Sequence, residues 1–412
     1  MISARAMRTF AQTSISVFFA IYLTDVGYSV AQTGVLVTIG SAGSAFFAFI
    51  IVFIGDTFGR RRLLVAFTLL TGVTGVGFAF SDQYLLLAIT TFFVGSLAIS
   101  GSGPRGPIQP LETASLPDTT STEHRTDLFA LSGIVERGAR VLGSLAAALP
   151  AVFVVVLGIT EIQGFKVMFV GYAVVMVGSA GLYWMLSPAV DRPLEHHRFT
   201  NPFKLPSRRT IFTMAAIASV DSLATRFVFF SLVALWFKTK FGFELADVSY
   251  LLASATILSA FSLWVAARLS ARIGLLNTIV FTHIPAVIFT FALPFAPWAW
   301  LAVFMFLGRG FFSQMDTAPK NSYTMAIVNR DERAAMAGVN NVTQATVGTA
   351  VPTLATVLWE GVSISAPFIA AGMLKSVYLT WMYFTFRNVR PPEEIERRER
   401  KQRAKEAAQQ AD

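Results

Sequence analysis

The sequence contains no cysteine, only four histidines and few charged residues. Without cysteine, neither disulfides nor thiolate metal sites form within the chain, and the four scattered histidines do not make a zinc-binding set. Charged residues occupy 14% of the 412 positions, against about 25% in soluble domains. Because hydrophobic residues make up 54% of the chain, we expect a lipid bilayer to be its solvent.

The sequence also lacks the motifs of common energy-using and catalytic sites. No glycine-rich loop is followed by Lys-Ser or Lys-Thr, so ATP is not expected as an energy source. No nucleophile and base stand in a recognisable arrangement. We therefore predict a protein that is not an enzyme and that carries neither a metal nor another cofactor.

Long apolar runs are what the sequence has instead. A transmembrane helix needs about 20 mostly apolar residues. Such runs cover residues 9–26, 27–55, 63–81, 83–104, 141–160, 167–190, 210–236, 248–267, 273–308, 334–359 and 361–386. The run 273–308 is long enough for two helices, which the turn from Pro294 to Pro297 separates. We predict an all-α polytopic membrane protein with twelve transmembrane helices.

Lysine and arginine are distributed unevenly among the predicted loops. Cytoplasmic loops are enriched in both residues. If both termini are cytoplasmic, the inner loops hold Arg60, Arg61, Arg62, Arg125, Arg192, Arg198, Lys204, Arg208, Arg209, Arg268, Arg272, Lys320, Arg330 and Arg333. The outer loops hold Lys166, Lys238 and Lys240. This asymmetry predicts cytoplasmic termini in a plasma (inner) membrane, and it attributes the net charge of +9 to contact with anionic lipid rather than with nucleic acid.

The two halves of the chain resemble each other. Residues 27–46 and 242–261 both begin with glycine and end in Ser-Ala-Phe. Further matches follow in the same order: Gly59 with Gly274, Arg105 with Arg309, Glu112 with Asp316, Gly133 with Gly338, and Gly143 with Gly348. Such a collinear series predicts an internal duplication.

The duplication and a proline-rich polar stretch predict the domain organisation. We expect an N-terminal six-helix bundle at 1–187, a cytoplasmic linker at 188–208 and a C-terminal six-helix bundle at 209–388. A charged cytoplasmic tail follows at 389–412. The two bundles are expected to be pseudo-symmetric because they descend from one repeat.

A short motif stands between predicted helices 2 and 3, where residues 55–62 read GDTFGRRR. It resembles the loop signature G-x-x-x-D-R-x-G-R-R of the major facilitator superfamily (MFS). The matching residues are Asp56, Gly59, Arg60 and Arg61, whereas Val52 and Thr57 depart from the signature. Parallel six-helix repeats are also the architecture of that superfamily. The resemblance covers nearly the whole chain and implies the MFS fold and a secondary transporter working by alternating access.

The motif has a physical rationale. Gly59 permits a tight turn at the membrane surface, and Asp56 is expected at the start of helix 3, where a carboxylate suits the helix dipole. In the superfamily this network latches the two halves in the outward-facing state. The resemblance therefore implies a conformational latch formed by Asp56, Gly59, Arg60 and Arg61. The other interpretation is a plain loop carrying the arginines of a cytoplasmic surface.

Charged groups inside the membrane cost from about 2.5 kcal/mol upward, so each is a functional candidate. Arg105 and Glu112 share a face of predicted helix 4, and Arg309 and Asp316 repeat the arrangement on helix 10. This repetition favours a mechanical role as charge latches on the inner side. Alternatively, Arg105 lines the substrate cavity or acts in coupling, since it resembles the arginine of the helix 4 motif R-x-x-q-G of drug/proton antiporters.

Predicted helix 5 differs most from its repeat mate. Helix 5 carries Glu136, Arg137 and Arg140, where helix 11 carries Asn340, Asn341 and Gln344. Glu136 and Arg140 are four residues apart and are expected to pair. The two arginines and the three amides are predicted to line the substrate cavity, and Glu136 is a candidate for proton binding. The alternative is a hydrogen-bond network that only holds the halves together.

Asp221 lies near the middle of predicted helix 7, without a lysine or arginine three or four positions away. A buried carboxylate that lacks a close cation is disposed to bind a proton. We therefore predict Asp221 as a proton-coupling residue. The other interpretation is a structural carboxylate paired with an arginine of another helix. His283, in predicted helix 9, is interpreted as a packing residue.

Three functions are weighed. The leading hypothesis is a secondary active transporter, most like the drug/proton antiporter branch, that exports a small organic solute in exchange for protons. Because deep arginines outnumber deep carboxylates, an organic-anion carrier is the second. The third is a non-transporting receptor or assembly partner on the same fold, which would need neither the latch nor the deep charges. We expect a monomer whose partners are the solute, protons and membrane lipid.

Overall fold

The computed structural model of the protein describes residues 1–94, 108, 112, 116, 125–186 and 202–389. Within this part of the chain every regular element is helical. The α-helices are α1 (Ile2–Val26), α2 (Val30–Phe58), α3 (Arg60–Phe80), α4 (Tyr84–Val94), α5 (Arg125–Ala146), α6 (Leu149–Leu157), α7 (Glu161–Trp184), α8 (Arg208–Phe227), α9 (Phe230–Phe241), α10 (Leu245–Ile273), α11 (Leu275–Ala292), α12 (Ala299–Gln314), α13 (Thr317–Ala326), α14 (Arg333–Gly348), α15 (Val351–Gly361) and α16 (Ala366–Phe386). Arg105, residues 188–201 of the predicted linker and residues 390–412 of the predicted tail lie outside the described residues.

Several of these helices are long and apolar enough to cross a membrane. Seven stretches of the described residues meet both conditions: Val30–Ile51, Arg60–Phe80, Leu131–Leu157, Glu161–Trp184, Arg208–Phe241, Leu245–Ser270 and Leu275–Phe295. Each overlaps a run predicted from the sequence, although Leu131–Leu157 begins ten residues before the predicted run 141–160. The protein is therefore an integral, multi-pass, all-helical membrane protein.

Two glycines end long helices in the same way. Gly59 separates α2 from α3 with φ 81° and ψ 135°, and Gly274 separates α10 from α11 with φ 92° and ψ 165°. A side chain strains the backbone in this region, so glycine is required at both turns. The turn at Gly59 corrects one prediction: Asp56 lies in the last turn of α2 rather than at the start of α3. Its side chain lies outside the described residues.

Several long helical stretches consist of two helices with a break between them. Pro150 and Pro352 stand in the first turn of α6 and α15 and so mark the breaks after α5 and α14. Proline suits these positions because the first backbone N–H groups of a helix have no partner within it. Met315 and Asp316 separate α12 from α13 without a proline. Asp316 thereby stands at a bend in the chain.

The helices of each half pack in a recurring pattern. In the first half α1 packs against α5 and α7, and α3 packs against α4 and α7. In the second half α8 packs against α14 and α16, and α11 packs against α12 and α16. The halves meet where α1 contacts α9, α2 contacts α15 and α5 contacts α10. The largest apolar core runs through this junction, since it joins Phe18 and Phe165 with Trp236 and Phe368.

Candidate functional site

The second half holds a group of ionisable side chains drawn from four helical segments. We call it the C-terminal ion network, and it consists of Asp221, His283, Asp316, Lys320 and Lys375. Asp221 comes from α8, His283 from α11, Lys375 from α16, and the other two from the start of α13. The network lies inside the protein, because the side chains of Asp221, His283 and Asp316 are 9%, 1% and 4% exposed.

Asp221 is the centre of the C-terminal ion network. Its Oδ2 atom lies 2.6 Å from the Nζ atom of Lys320, and its Oδ1 atom accepts a hydrogen bond from Lys375. Removing charges from water is costly, and paired, hydrogen-bonded geometry offsets part of that cost. Along α8 no lysine or arginine lies three or four positions from Asp221. Two lysines from other helices pair with it instead. Asp221 is thus a paired carboxylate in this state of the protein.

His283 joins the two ends of the network. Its Nε2 atom lies 3.2 Å from the Nζ atom of Lys375, and its Nδ1 atom lies 3.6 Å from the Oδ2 atom of Asp316. The same carboxylate oxygen is 3.6 Å from the Nζ atom of Lys320. These contacts correct the interpretation of His283 as a packing residue, because its ring stands between a buried ammonium and a buried carboxylate.

A small cavity borders the C-terminal ion network. Its volume is about 10 Å³, which is room for about one water molecule. Its walls comprise Ala224, His283, Ala286, Val287, Thr290, Arg309, Ser313, Ala371 and Lys375. Two cationic side chains and no carboxylate are among these residues. The cavity therefore offers a positive environment beside the paired Asp221.

The first half has its own buried charges, which we call the N-terminal ion network: Arg5, Arg8, Glu112, Glu136 and Arg140. Arg8 Nη2 lies 2.5 Å from Glu112 Oε2, and Tyr183 donates a hydrogen bond to the other oxygen of that carboxylate. Glu136 lies 2.6 Å from Arg5 and 2.8 Å from Arg140. These bonds tie α1 and α7 to Glu112, and α1 to α5.

The two networks place opposite charges on equivalent helices. In the first half α1 supplies the cations Arg5 and Arg8, whereas in the second half α8 supplies the carboxylate of Asp221. The partners of these residues described above all belong to the same half. The ion pairs therefore hold helices together within each half.

Polar contacts join the two halves near the end of α1 and the start of α2. Asp25 and Lys238 form an ion pair at 2.9 Å, and the backbone N–H of Ala31 donates to Glu360 at 2.9 Å. Deeper along α2, the hydroxyl groups of Thr38 and Thr353 are 2.7 Å apart. We call this set the inter-half seal. It joins the two halves at the end that the loop charges predict to be outside.

The side chains predicted to line the substrate cavity differ in exposure and in the helices that surround them. Glu136 and Arg140 form the expected ion pair, which is confirmed, and Arg137 is exposed. Asn340 is half-buried with an unpartnered Oδ1 atom, Asn341 is exposed and Gln344 is half-buried. The helix of the arginines, α5, packs mainly against α1 and α10, whereas the helix of the amides, α14, packs mainly against α8. A shared substrate cavity stays a prediction.

The residues predicted as latches occupy three regions. Arg60 is buried at the first position of α3, and the guanidinium carbon of Arg61 lies 5.1 Å from the ring centre of Trp184. Glu112 and Asp316 belong to the two ion networks. Arg309 donates from its Nε atom to Thr290 at 3.2 Å and borders the cavity.

Four cations of the networks were missed by sequence reasoning. Lys320 was counted among loop residues, but it lies in α13 and reaches Asp221. Lys375 stood out as a charge within a predicted span, which was the available signal for a role. Arg5 and Arg8 lie before the first apolar run, and the structure includes them in α1. Their partners belong to other helices, so helical spacing gives no signal for these contacts.

Comparisons with known proteins agree with this architecture. The sequence profile described as Major Facilitator Superfamily matches residues 1–352. An uncharacterized membrane protein of Saccharomyces cerevisiae is 21% identical over 354 residues, which are 78% of this chain and 79% of the yeast protein.

Solved transporters share the fold. A bacterial homologue of the human lysosomal transporter Spinster, in an inward-facing and occupied conformation, superposes with a TM-score of 0.71 at 13% identity, over 94% of this chain and 95% of the homologue. A D-xylose–proton symporter superposes with a TM-score of 0.70 at 13% identity, over 93% of this chain and 96% of the symporter. Identity at this level establishes the fold and leaves the solute open.

Proposed function

The chain belongs to the Major Facilitator Superfamily and is a secondary transporter, and we propose that it moves a small organic solute by alternating access coupled to protons. The observation that carries the proposal is Asp221, a buried carboxylate held by Lys320 and Lys375 from two other helical segments. Ionisable groups at such depth are expensive to keep and mark ion or proton pathways. A proton on Asp221 would remove the negative charge that holds both lysines, so proton binding would alter how α8, α13 and α16 are held together.

The architecture proposed for this cycle is two pseudo-symmetric six-helix bundles with twelve transmembrane helices. The recurring packing of α1 with α5 and α7, and of α8 with α14 and α16, supports it. The division at 1–187, 188–208, 209–388 and 389–412 follows the same repeat. Alternating access would then be a rocking of one bundle against the other.

The state of the protein is proposed to be closed on the outer side. The inter-half seal, with its Asp25–Lys238 pair and its Thr38–Thr353 bond, supports this proposal. The loop arginines and lysines support cytoplasmic termini and a plasma (inner) membrane. Export is the proposed direction, on the resemblance to drug/proton antiporters.

Asp56, Gly59, Arg60 and Arg61 are proposed to act as a conformational latch at the inner end of α2 and α3. The positive φ of Gly59 supports this role, because it brings the end of α2 close to the start of α3. Glu112, Arg309 and Asp316 are proposed to stiffen their own halves during the same movement. The contacts of Glu112 with Arg8 and of Arg309 with Thr290 support that role.

Reconstituted vesicles test the coupling. A thermal-shift screen against anionic and cationic metabolites and drugs first identifies a solute that binds the purified protein. The Asp221→Asn variant is expected to lose solute flux driven by a pH gradient and to keep exchange of labelled for unlabelled solute, which needs no net proton movement. The matched control is Ser219→Ala, on the same helix, whose hydroxyl bonds only its own helix at Ala215. Full pH-driven flux in Asp221→Asn would contradict the proposal.

An organic-anion carrier is the second candidate function. The cationic side chains of Arg309 and Lys375 favour it, because both border the small cavity beside Asp221 and no carboxylate lines it. That cavity holds about one water molecule, so the anion would bind in a state in which the cavity is wider. An anion drawn to these two cations would compete with Asp221 for Lys375. In the thermal-shift screen, Arg309→Gln is expected to lose the stabilisation by anionic ligands and to keep that by cationic ones. Equal stabilisation of wild type and Arg309→Gln by anions would contradict this candidate.

A further inference from the structure

The imidazole ring of His283 faces two different partners. On one side Nε2 lies 3.2 Å from the ammonium nitrogen of Lys375. On the other side Nδ1 points towards the Oδ2 atom of Asp316 at 3.6 Å. The ring is buried, with 1% of its side chain exposed. Each ring nitrogen of His283 therefore faces a different proton-binding group.

The chemistry of Lys375 decides which ring nitrogen carries the hydrogen. A charged lysine donates hydrogen bonds and accepts none. The Nε2 atom must therefore accept from Lys375, so its lone pair is free of a proton. A neutral ring then carries its hydrogen on Nδ1, on the side of Asp316.

His283 and Asp316 do not form a hydrogen bond with each other in this state. His283 Nδ1 and Asp316 Oδ2 are both buried without a hydrogen-bond partner, and they face each other across 3.6 Å. Hydrogen bonds between nitrogen and oxygen are about 2.7–3.2 Å long. Two buried polar atoms that face each other without a hydrogen bond call for an explanation, and Asp316 Oδ2 has only the ion pair with Lys320 at 3.6 Å. A movement of less than about 1 Å would join them.

We propose that His283 is a proton relay between Lys375 and Asp316, and that Asp316 is a second proton-binding carboxylate of the transporter. The proposal rests on the proton coupling proposed above and names its path. In the relay step an N–H bond of Lys375 breaks and an Nε2–H bond forms on His283. The Nδ1–H bond of His283 breaks, and an O–H bond forms on Asp316. One ammonium and one carboxylate become one amine and one carboxylic acid, so charge and protons balance.

The gap on the Asp316 side makes the relay dependent on conformation. Asp316 stands at the bend between α12 and α13 rather than inside a helix. Rotation of α13 about this bend would move its carboxylate relative to α11, which carries His283. The relay is therefore interrupted in this state and conducts when the bend closes the gap.

Charged groups of both signs surround His283. Asp316 and Asp221 place negative charge near the ring, and Lys375 and Lys320 place positive charge near it. The small cavity, which has room for about one water molecule, is lined by both His283 and Lys375. The titratable and charged groups that face the ring are Asp221 from α8, Arg309 from α12, Asp316 and Lys320 from the start of α13, and Lys375 and Tyr378 from α16.

The tautomer of His283 is the first test, and it needs no solute. The chain has four histidines, so nitrogen NMR of protein labelled with ¹⁵N-histidine gives few signals. The His283 signals are those missing from the spectrum of His283→Gln. The expected result at pH 7 is a neutral ring protonated on Nδ1. A ring protonated on Nε2, or on both nitrogens, would overturn the relay.

Flux in vesicles is the second test. Glutamine at position 283 keeps a polar side chain but cannot pass a proton from one atom to another. His283→Gln is expected to slow pH-driven flux about 100-fold, the scale of positioned proton transfer, and to leave solute exchange unchanged. Asp316→Asn is expected to do the same. The matched control is Thr282→Val, whose native hydroxyl bonds only Thr278 on the same helix.

The outcomes separate the relay from the proposed function. Wild-type pH-driven flux that persists in both His283→Gln and Asp316→Asn would overturn the relay and leave proton coupling intact. No pH-driven flux in the wild type would overturn both. An equal loss of solute exchange and pH-driven flux in the two variants would mean that the residues only hold α11 and α13 in place, and it too would overturn the relay.

Discussion

The Oδ2 atom of Asp221 lies 2.6 Å from the Nζ atom of Lys320, although the two residues are 99 positions apart in the chain. Lys375 binds the other carboxylate oxygen from a third helix. One buried carboxylate thus pairs with the buried Lys375 and with the partly exposed Lys320. The three side chains differ in what their removal leaves behind.

Removing Asp221 is expected to cost more stability than removing Lys375. Asp221→Asn leaves the buried ammonium group of Lys375 without a carboxylate and leaves Lys320 with only the more distant Asp316 at 3.6 Å. Breaking a buried pair in this way costs about 3–5 kcal/mol. Lys375→Met leaves the Asp221–Lys320 pair in place. Thermal unfolding in detergent, followed by tryptophan fluorescence, is expected to give a lower midpoint for Asp221→Asn. Equal midpoints would contradict the central position of Asp221.

An engineered disulfide within the inter-half seal can test whether the seal opens during transport. The hydroxyl oxygens of Thr38 and Thr353 are 2.7 Å apart, and the chain has no cysteine of its own. The double variant Thr38→Cys with Thr353→Cys is expected to form a disulfide on oxidation and to stop transport. Reductant is expected to restore it. Each single-cysteine variant is the control, and transport that continues in the oxidised double variant would contradict the opening of this seal.

Close contact of α2 with α15 depends on Gly34. A methyl group there would lie 1.8 Å from the Oγ1 atom of Thr356 and 2.8 Å from the carbonyl oxygen of Pro352. Gly34→Val is therefore expected to push the helices apart and to expose the seal. A single cysteine at Thr353 should then react faster with an impermeant maleimide. Gly138→Val is the control, because nothing lies near a side chain added there; unchanged labelling in Gly34→Val would refute the prediction.

The turn between α2 and α3 requires glycine. Gly59 has φ 81° and ψ 135°, and a side chain in such a region costs about 1–3 kcal/mol. Gly59→Ala is expected to lower the unfolding midpoint, and Gly274→Ala, with φ 92°, is expected to do the same. Gly181→Ala is the control, since it lies inside α7 with open space around it. A midpoint unchanged from wild type would mean that the turn has rearranged.

A carboxylate outside the membrane spans predicts a pH dependence of stability. Ser207 donates its backbone N–H to Glu332 at 3.1 Å, and Asn329 donates from its side chain at 3.1 Å. Hydrogen bonds from Ser207 and Asn329 lower the pKa of Glu332 below its ordinary value of 4.5. The folded state therefore gains stability above that value, and the gain is lost as the pH falls through the lowered pKa.

The measurement for Glu332 compares wild type with Glu332→Gln. The difference between their unfolding midpoints is expected to be constant near pH 7 and to shrink below pH 4.5, the ordinary pKa from which that of Glu332 is lowered. The matched control is Glu244→Gln, at the start of α10. A difference that grows on acidification would contradict the assigned direction.

Local features of this protein could be predicted from the sequence. The apolar runs predicted an integral membrane protein, and the short motif near Gly59 predicted the superfamily; both are confirmed. Glu136 and Arg140 pair as their helical spacing indicates. Gly59 and Gly274 form equivalent turns, as the repeat suggests. The drug/proton antiporter branch stays a prediction, because the structural likeness establishes the fold alone.

Contacts between helices could not be predicted in the same way. Arg8 and Glu112 are 104 positions apart, and their pairing depends on which helices become neighbours and how each is rotated. The same holds for Lys320, whose loop assignment was wrong. His283 resembles a packing residue in sequence because apolar residues surround it along α11. Asp56 was predicted at the start of α3 but lies in α2. The helix continues to Phe58, and the turn between the helices is formed at Gly59 alone.

The confinement of the described ion networks to single halves has an electrical consequence. When the halves rock, Arg8 keeps Glu112 and Asp221 keeps its lysines, so no bare charge is left behind in the low-dielectric interior. The Asp25–Lys238 pair does join the halves, but it lies at an exposed end, where water replaces the lost contact. In the proposed cycle these ion pairs carry little net charge of their own across the membrane field. The membrane voltage would act instead on what is carried, the proposed solute and proton.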